Sequence, residues 1–185
     1  MDLPEKIVAL HSTLRRAAVP HAFGGALALA WCTGRARGTI DIDINLFVEV
    51  DQAALVCEAF PEPISIPSGE LQRLAREGQV RLWWGTTPID VFLNTLALHE
   101  RASSRIRWEQ FLDHSIPFLA CTDLAIFKAF YNRTKDWADL EEMASAGTLD
   151  VTEVTGVIVE HLGGSDERVV QLGKLSDLMG TKPDT

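Results

Sequence analysis

The sequence predicts an α/β fold in which strands and helices alternate before a run of helices closes the chain. Three features predict it: alternating apolar and polar residues over 41–48, a strand–turn–strand pattern over 79–93, and three consecutive helical segments after residue 134. Such an order indicates a sheet-based core followed by a helical part. We therefore expect a core over residues 1–120 and a C-terminal helical part over residues 121–185 packed on it.

Helix starts and stops divide the first half of the core. Asp2 is a good N-cap, and Pro4 fits the first turn of the helix that follows. Asp51 begins another helix, which Pro61 and Pro63 end. The expected elements are a helix over 2–18, a short strand near residue 22, a helix over 26–32, a strand over 41–48 and a helix over 51–60.

A hairpin dominates the second half of the core. Gly85 opens a turn that joins two strands rich in apolar residues. Thr122 is a candidate cap for the first of the terminal helices. The expected elements are a short strand over 64–66, helical turns over 68–77, strands over 79–84 and 89–93, helical or irregular structure over 97–113, a short strand over 116–120, and helices over 123–132, 135–146, 151–162 and 168–179.

The strand over 41–48 carries two carboxylates on one face. Side chains alternate along a strand, so Asp41, Asp43 and Asn45 share one face while the apolar residues between them face the core. Two anions roughly 6–7 Å apart on a rigid strand repel each other and favour a bridging divalent cation. Carboxylate oxygens suit Mg²⁺ or Mn²⁺. The alternative is a solvated strand end.

Asp90 interrupts the apolar strand over 89–93. A buried carboxylate without a partner costs several kcal/mol, so such a residue usually has an ion pair or a metal. Both interpretations stay open: an ion pair with Arg81, or a metal shared with Asp41 and Asp43.

A glycine pair, Gly24-Gly25, separates the short strand near residue 22 from the apolar helix over 26–32. Glycines allow close approach of the backbone to a ligand. The free N–H groups and positive dipole end of the following helix suit a phosphate. The pair matches neither a Walker A loop nor a dinucleotide-binding fingerprint, and an ordinary turn is the alternative.

Together these residues resemble the nucleotidyltransferase superfamily, and within it most closely the AbiEii-type toxins of toxin–antitoxin systems. The resemblance extends over about residues 20–145. It rests on a Gly-Gly-x-Ala-Leu helix, an arginine-rich turn with a threonine before the aspartates, an Asp-x-Asp strand and a downstream basic–acidic helical segment. The matching residues are Gly24, Gly25, Ala26, Leu27, Arg35, Arg37, Thr39, Asp41, Asp43, Lys128, Arg133, Lys135, Asp136, Asp139 and Leu140.

The resemblance implies a polymerase-β-like core with a mixed sheet flanked by helices. It also implies transfer of a nucleoside monophosphate from an NTP, with Mg²⁺ or Mn²⁺ as cofactor. Asp41, Asp43 and Asp90 would hold metal, and Asp90 would also orient the acceptor. The implied nucleotide contacts are Gly24, Gly25, Arg37, Thr39, Lys128, Asp136 and Asp139, and Lys128 would neutralise the departing pyrophosphate.

Simpler interpretations remain for several of these residues. Lys128 is equally well explained as an exposed helix lysine. Asp136 and Asp139 are at suitable spacing for surface ion pairs with Arg133 or Lys135. Which of the two aspartates is functional stays open. Thr39 is either an ordinary strand residue or one that faces the nucleotide beside Asp41.

The acceptor is the least determined part of the prediction. The resemblance implies tRNA as acceptor and an antitoxin protein as a partner, and clusters such as Arg15-Arg16 suit an RNA backbone. The net charge of −9 fits a cationic, aminoglycoside-like small molecule better. A protein hydroxyl and a catalytically idle binding module of a toxin–antitoxin pair are further alternatives.

The sequence contains no motif of a zinc site, a metalloprotease or a serine or cysteine hydrolase. The three cysteines are widely spaced without a C-x-x-C pair, so we expect small core residues of a reduced cytoplasmic protein. The five histidines form no H-E-x-x-H pattern, and no nucleophile elbow is present. No apolar run approaches the length that spans a bilayer, so no membrane association is expected.

Overall fold

A computed structural model describes the backbone of residues 1–180 and the side chains of residues 1–176. The chain divides into two compact units. The first comprises Met1–Leu27 and Arg37–Leu119, and the second comprises Ala28–Ala36 and the chain from Ala120 onward. The second helix of the chain contributes its first turn to the first unit and its remainder to the second.

The first unit is built on a six-stranded mixed sheet. Neighbouring strands follow the order β3-β4-β2-β1-β6-β5. Strand β1 is antiparallel to β2 and parallel to β6, β2 is parallel to β4, and the two outer pairs are antiparallel hairpins. The strands are β1 (His21–Phe23), β2 (Ile42–Glu49), β3 (Gln79–Trp84), β4 (Thr87–Asn94), β5 (Arg107–Phe111) and β6 (His114–Phe118).

Strand β2 lies inside the sheet, between β4 and β1. Ile42, Ile44 and Leu46 are fully buried, as the alternating pattern predicts. Asn45 and Phe47 are also buried, so the other face is accessible only toward its two ends, at Asp43 and at Glu49. An interior strand is covered on both faces over most of its length, which explains this departure from simple alternation.

Helices flank the sheet of the first unit. Helix α1 begins with a capping box: Asp2 accepts a hydrogen bond from the Glu5 backbone N–H, and the Glu5 side chain accepts one from the Asp2 backbone N–H. This confirms the predicted helix start. The helices are α1 (Leu3–Arg16), α2 (Gly25–Thr33), a 3-10 turn (Val50–Gln52), α3 (Ala53–Cys57), α4 (Ser68–Glu77) and α5 (Ala97–Ser103).

The expectation of helical or irregular structure over 97–113 is wrong in its second half. Strand β5 pairs with β6 in an antiparallel hairpin and forms one edge of the sheet. Leu112, in the connecting turn, has a φ of 51°. No glycine or asparagine marks this turn, so its usual sequence signal is missing. The short strand expected over 64–66 is reduced to a single bridge between Ser65 and Trp83.

The second unit is helical. Its core contains Leu124, Leu140, Met143 and Ile158, which come from three different helices and are all buried. None of the described helices is long and apolar enough to cross a membrane. The helices are α6 (Cys121–Tyr131), α7 (Thr134–Ser145), α8 (Val151–Leu162) and α9 (Glu167–Gly180).

A disulfide joins Cys32, near the end of α2, to Cys121, the first residue of α6. The expectation that all three cysteines are reduced core residues is therefore wrong for this pair. The two residues are 89 positions apart, so only the tertiary structure shows that their Cα atoms lie 5.6 Å from each other. Cys57 is a free thiol, and burial raises its pKa to about 11.

Two buried histidines link α1 to the sheet. His11 Nδ1 lies 2.9 Å from His21 Nε2, and His21 Nδ1 lies 2.8 Å from the Val19 carbonyl oxygen. Because a carbonyl only accepts, Nδ1 of His21 must carry the proton, and its neutral Nε2 then accepts from Nδ1–H of His11. Burial is the main cause that lowers the pKa of His11 to about 4, and His21, Arg15 and His114 lower it further.

We predict that this pair makes stability depend on pH. The unfolded chain binds a proton at His11 below its ordinary pKa of 6.5, whereas the folded chain does so only below about 4. The free energy of unfolding should therefore fall as pH is lowered from 6.5 to 4, by about 3 kcal/mol at most from this residue. His11→Asn should make that slope shallower in urea unfolding curves. Leu14→Ala, on the same buried face, should lower stability at every pH with the slope unchanged, and equal slopes in all three proteins would contradict the prediction.

Candidate functional site

The Gly24-Gly25 turn lies directly against Asp43. The Gly24 N–H donates to the Asp43 backbone oxygen at 2.9 Å. Gly25 has a φ of +53°, and a Cβ atom built on it would lie 1.9 Å from Asp43 Oδ2. Both the left-handed backbone and the lack of space therefore require glycine at position 25. The Gly24 N–H is thus used within the sheet, and the nucleotide contact expected of Gly24 stays a prediction.

Strand pairing brings Asp43 and Asp90 side by side. The two residues are partners in the parallel register of β2 and β4. Residues paired across neighbouring strands point to the same face of a sheet. Asp41 comes directly before β2, and the Thr39 hydroxyl donates a short hydrogen bond to Asp41 Oδ1. Thr39 thus contacts one of the two aspartates, as its predicted position on their face requires.

Both carboxylate oxygens of Asp90 are bound by Arg81. Nε of Arg81 lies 2.7 Å from Oδ1, and Nη2 lies 2.6 Å from Oδ2. Arg81 is the antiparallel partner of Asp90 in the β3–β4 hairpin. Of the two interpretations left open for Asp90, the ion pair with Arg81 is the one present here. The Arg81 side chain is 52% exposed, whereas that of Asp90 is 20% exposed.

The charges of all three aspartates act on Arg81. The pKa of its guanidinium is raised, first by the hydrogen bonds and charge of Asp90 and then by the charges of Asp41 and Asp43. Partial burial opposes the effect. Three carboxylates and one guanidinium therefore form a single electrostatic cluster at this part of the sheet.

The donor set of the cluster suits a hard divalent cation. Asp41 and Asp43 supply carboxylate oxygens, and the lack of a Cβ at Gly25 leaves room beside Asp43 Oδ2. Among the described residues, no three His, Cys, Asp or Glu side chains converge as a ready metal site. The third carboxylate, Asp90, is held by Arg81 instead. Asp41 and Asp43 supply oxygens of the kind that a hard cation prefers, and Asp90 can add its own once Arg81 is displaced.

Lys128, Asp136 and Asp139 form their own cluster in the second unit. Nζ of Lys128 lies 2.5 Å from Asp139 Oδ2 and 4.0 Å from Asp136 Oδ1. All three side chains are buried, so the interpretation of Lys128 as an exposed helix lysine is wrong. Arg133 binds Asp136 through Nε at 2.6 Å and Nη2 at 3.0 Å, which is the expected i,i+3 pair. Removing one partner of a buried ion pair lowers the free energy of unfolding by roughly 3–5 kcal/mol. These residues therefore have a structural role, because they join α6 to α7.

Two residues complete the description of the site. Arg37 is exposed in the segment between α2 and β2. Asn45, two residues after Asp43, is buried, and its Nδ2 would lie 3.2 Å from a Cβ atom on Gly24. In the sequence, Asn45 lies on the predicted face of the aspartates, but no motif indicates a role for it. Arg81 enters the sequence prediction only as a possible ion-pair partner of Asp90. A two-residue turn in the hairpin would have predicted that Arg81 and Asp90 are paired across the two strands.

No protein-family model matches the chain, and neither does any curated protein. Several solved structures are similar to the chain. The antibiotic-resistance factor ANT(2'')-Ia aligns with a TM-score of 0.58 at 10% identity, over 96% of this chain and 95% of that one. The lincosamide antibiotic adenylyltransferase LnuA, bound to lincomycin, aligns with a TM-score of 0.53 at 15% identity, over 77% and 96% of the two chains.

An antigenic nucleotidyltransferase-like protein from Paracoccidioides brasiliensis also aligns, with a TM-score of 0.54 at 14% identity, over 99% of this chain and 94% of that one. Identities this low establish the fold alone. The chain has the α/β nucleotidyltransferase fold, with a mixed sheet flanked by helices, which confirms the predicted fold class.

Gly25→Ala should lower the melting temperature by more than the strain of a left-handed alanine accounts for. Gly34 has a similar φ of +67° but nothing within 4 Å of a built Cβ, so Gly34→Ala carries the backbone cost alone. That cost is roughly 1–2 kcal/mol. We expect Gly34→Ala to lower the melting temperature modestly, and Gly25→Ala to lower it further because Asp43 must move. Equal melting temperatures for the two variants would show that Gly25 does not confine Asp43.

Proposed function

We propose that the chain is a metal-dependent nucleotidyltransferase, which moves a nucleoside monophosphate from an NTP to an acceptor hydroxyl. The observation that carries the proposal is the arrangement of Asp41, Asp43 and Asp90 on neighbouring parallel strands, with Gly25 confined against Asp43. The fold shared with solved nucleotidyltransferases supports it. ATP is the simplest donor to test first.

The reaction forms a bond between the acceptor oxygen and the α-phosphorus and breaks the bond from that phosphorus to the bridging oxygen, which leaves with pyrophosphate. Bound Mg²⁺ or Mn²⁺ would neutralise charge on the reacting phosphate oxygens. Asp41 and Asp43 would hold it, and Thr39 keeps Asp41 oriented through its hydroxyl. The N–H groups of Gly25 and the first turn of α2 have no acceptor within the helix and suit the triphosphate.

Asp90 would orient the acceptor hydroxyl and receive its proton. It can do so only after Arg81 releases its carboxylate, because both oxygens are bound in the structure described here. The exposure of Arg81 lowers the cost of this exchange, because the guanidinium passes directly into solvent when it leaves the carboxylate. Arg81 therefore acts as a displaceable cation at the third carboxylate.

We infer tRNA as the acceptor and a toxin restrained by an antitoxin as the biological setting, on the resemblance to the AbiEii-type toxins. A small hydroxylated molecule is the second candidate. It is favoured by the two solved neighbours described as an antibiotic-resistance factor and an antibiotic adenylyltransferase, and by the net charge of −9. A cytoplasmic location is part of the first proposal, although the Cys32–Cys121 disulfide is more typical of oxidising compartments.

The proposed division of labour follows the order of the chain. Residues 1–120 would form the transferase core and residues 121–185 the helical part. Arg37 and Lys128 are proposed to contact the nucleotide, with Lys128 neutralising the departing pyrophosphate. Asp139 and Asp136 would then set the position of the Lys128 ammonium, which they already hold.

Asp41→Asn and Asp43→Asn should each abolish nucleotide transfer while the fold is kept. Either change removes a metal-binding charge, so incorporation of label from α-³²P-ATP into total tRNA should fall more than about a hundredfold. The melting temperature should stay level or rise, because repulsion between like charges is relieved. Asp51→Asn, at an exposed position, is the control and should stay active. Transfer at the wild-type rate in either site variant would refute the proposed mechanism.

Arg81→Met should tighten metal binding. With the guanidinium gone, Asp90 is free to join Asp41 and Asp43, and a positive charge that opposes the cation is removed. We expect the Kd for Mn²⁺, measured by electron paramagnetic resonance without nucleotide, to fall about three- to tenfold. Arg107→Met removes an exposed arginine that pairs with Glu109 at 2.5 Å and should leave the Kd unchanged. An unchanged or weaker affinity in Arg81→Met would contradict the exchange.

A further inference from the structure

A cationic cavity lies in the first unit, away from the aspartates. It has a volume of about 370 Å³ and is formed by the C-terminal half of α1 and the start of β6. None of the described residues that line it is acidic. The lining residues are His11, Ser12, Arg15, Arg16, His114 and Ser115.

The arginines of this cavity are available for a ligand. Arg15 and Arg16 are exposed, and neither forms an ion pair with a described residue. Arg15 and His114 both act to lower the pKa of His11, as cationic neighbours do. Ser12 donates its hydroxyl proton to the Val8 carbonyl at 2.8 Å and is not a donor for a ligand. Arg15, Arg16, His114 and Ser115 therefore supply the donors, and they suit an anion.

An exposed aromatic ring contacts one of the residues that line the cavity. Trp108 on edge strand β5 is 53% exposed, and its ring contacts that of His11 edge-to-face with centroids 6.1 Å apart. Exposed arginines and an exposed tryptophan around the same lining residue are a combination that binds a phosphate together with its base. Neither free phosphate nor a simple anion would need the ring.

The cavity is separate from the candidate catalytic site. His21 pairs with Leu46 and Phe23 with Ile44, so these four residues share one sheet face and Asp43 lies on the other. His11 contacts His21, which places α1 and the cavity on the face opposite Asp43. His114 and Ser115 begin β6, whereas the Gly24 turn lies beside the end of that strand, where Leu119 N–H binds the Phe23 carbonyl. A small acceptor at Asp43 does not reach the cavity.

We propose that this cavity binds a nucleotide unit of an RNA acceptor, with a phosphate on Arg15, Arg16 and His114 and a base stacked on Trp108. The inference rests on the proposed transferase function and specifies its substrate as RNA rather than a small molecule. An RNA chain is large enough to occupy the cavity and to present a hydroxyl at the opposite face of the sheet.

The test is RNA binding without catalysis. Fluorescence anisotropy with a labelled twelve-residue oligouridylate and with total tRNA, in EDTA and without NTP, measures the Kd and its salt dependence. Arg15→Gln/Arg16→Gln should weaken binding at least tenfold and flatten the slope of log Kd against log salt by about one, since each phosphate contact in a single strand contributes about 0.7. Trp108→Ala should weaken binding roughly five- to hundredfold.

Matched controls come from elsewhere in the same unit. Arg73→Gln/Arg76→Gln removes the same charge from exposed arginines near the end of α4. Trp83→Ala removes a ring of similar exposure, 52%, from the opposite edge strand. Both should leave the Kd within twofold of wild type. Melting temperatures of all variants separate loss of binding from loss of folding.

Several outcomes overturn the inference: no RNA binding by the wild-type chain, equal losses in the control and cavity variants, or an arginine-dependent affinity for inorganic phosphate or uridine monophosphate that equals the affinity for the oligomer. The last result would leave an anion site without RNA. If binding is insensitive to the cavity but transfer still requires Asp41 and Asp43, only this inference fails. If the cavity binds RNA but the wild-type chain transfers no nucleotide, the proposed function fails instead.

Discussion

The parallel pairing of β2 with β4 is the constraint on which the candidate site depends. It sets Asp43 directly opposite Asp90, and the antiparallel hairpin that follows sets Arg81 opposite Asp90 in turn. Three charged residues from three strands thus lie in one row across the sheet. Strand hydrogen bonds hold that row rigidly, so like charges cannot move apart and must be balanced by a cation. In this structure the balancing cation on Asp90 is a guanidinium.

The glycine turn supplies the second constraint, because it limits the space around the Asp43 carboxylate. Gly24 is tied to the backbone of Asp43, and Gly25 approaches the carboxylate so closely that no side chain fits. The same turn starts α2 and directs its first N–H groups to the neighbourhood of Asp43. A carboxylate and a helix N-terminus held together in this way suit a metal-bound phosphate, which needs an anion for the metal and donors for its oxygens.

Charge is distributed unevenly over a chain that is acidic overall. The aspartates lie on one face of the sheet, and helix α1, which supplies both arginines of the cationic cavity, packs on the other. A net charge of −9 therefore does not prevent RNA from binding at the cavity, since local fields at a few ångströms outweigh distant charges that salt screens. The Lys128 cluster shows the same principle in the second unit, where Lys128 and Arg133 balance the buried Asp136 and Asp139.

The sequence by itself determined the fold class, the start of α1 and the Asp-x-Asp strand. Each of these depends on local periodicity or on the conformation of a few adjacent residues. Strand β5, the Cys32–Cys121 disulfide and the burial of Lys128 were decided by the tertiary structure alone. They depend on which distant segments meet, and no local pattern records the register of strands or the approach of residues 89 positions apart.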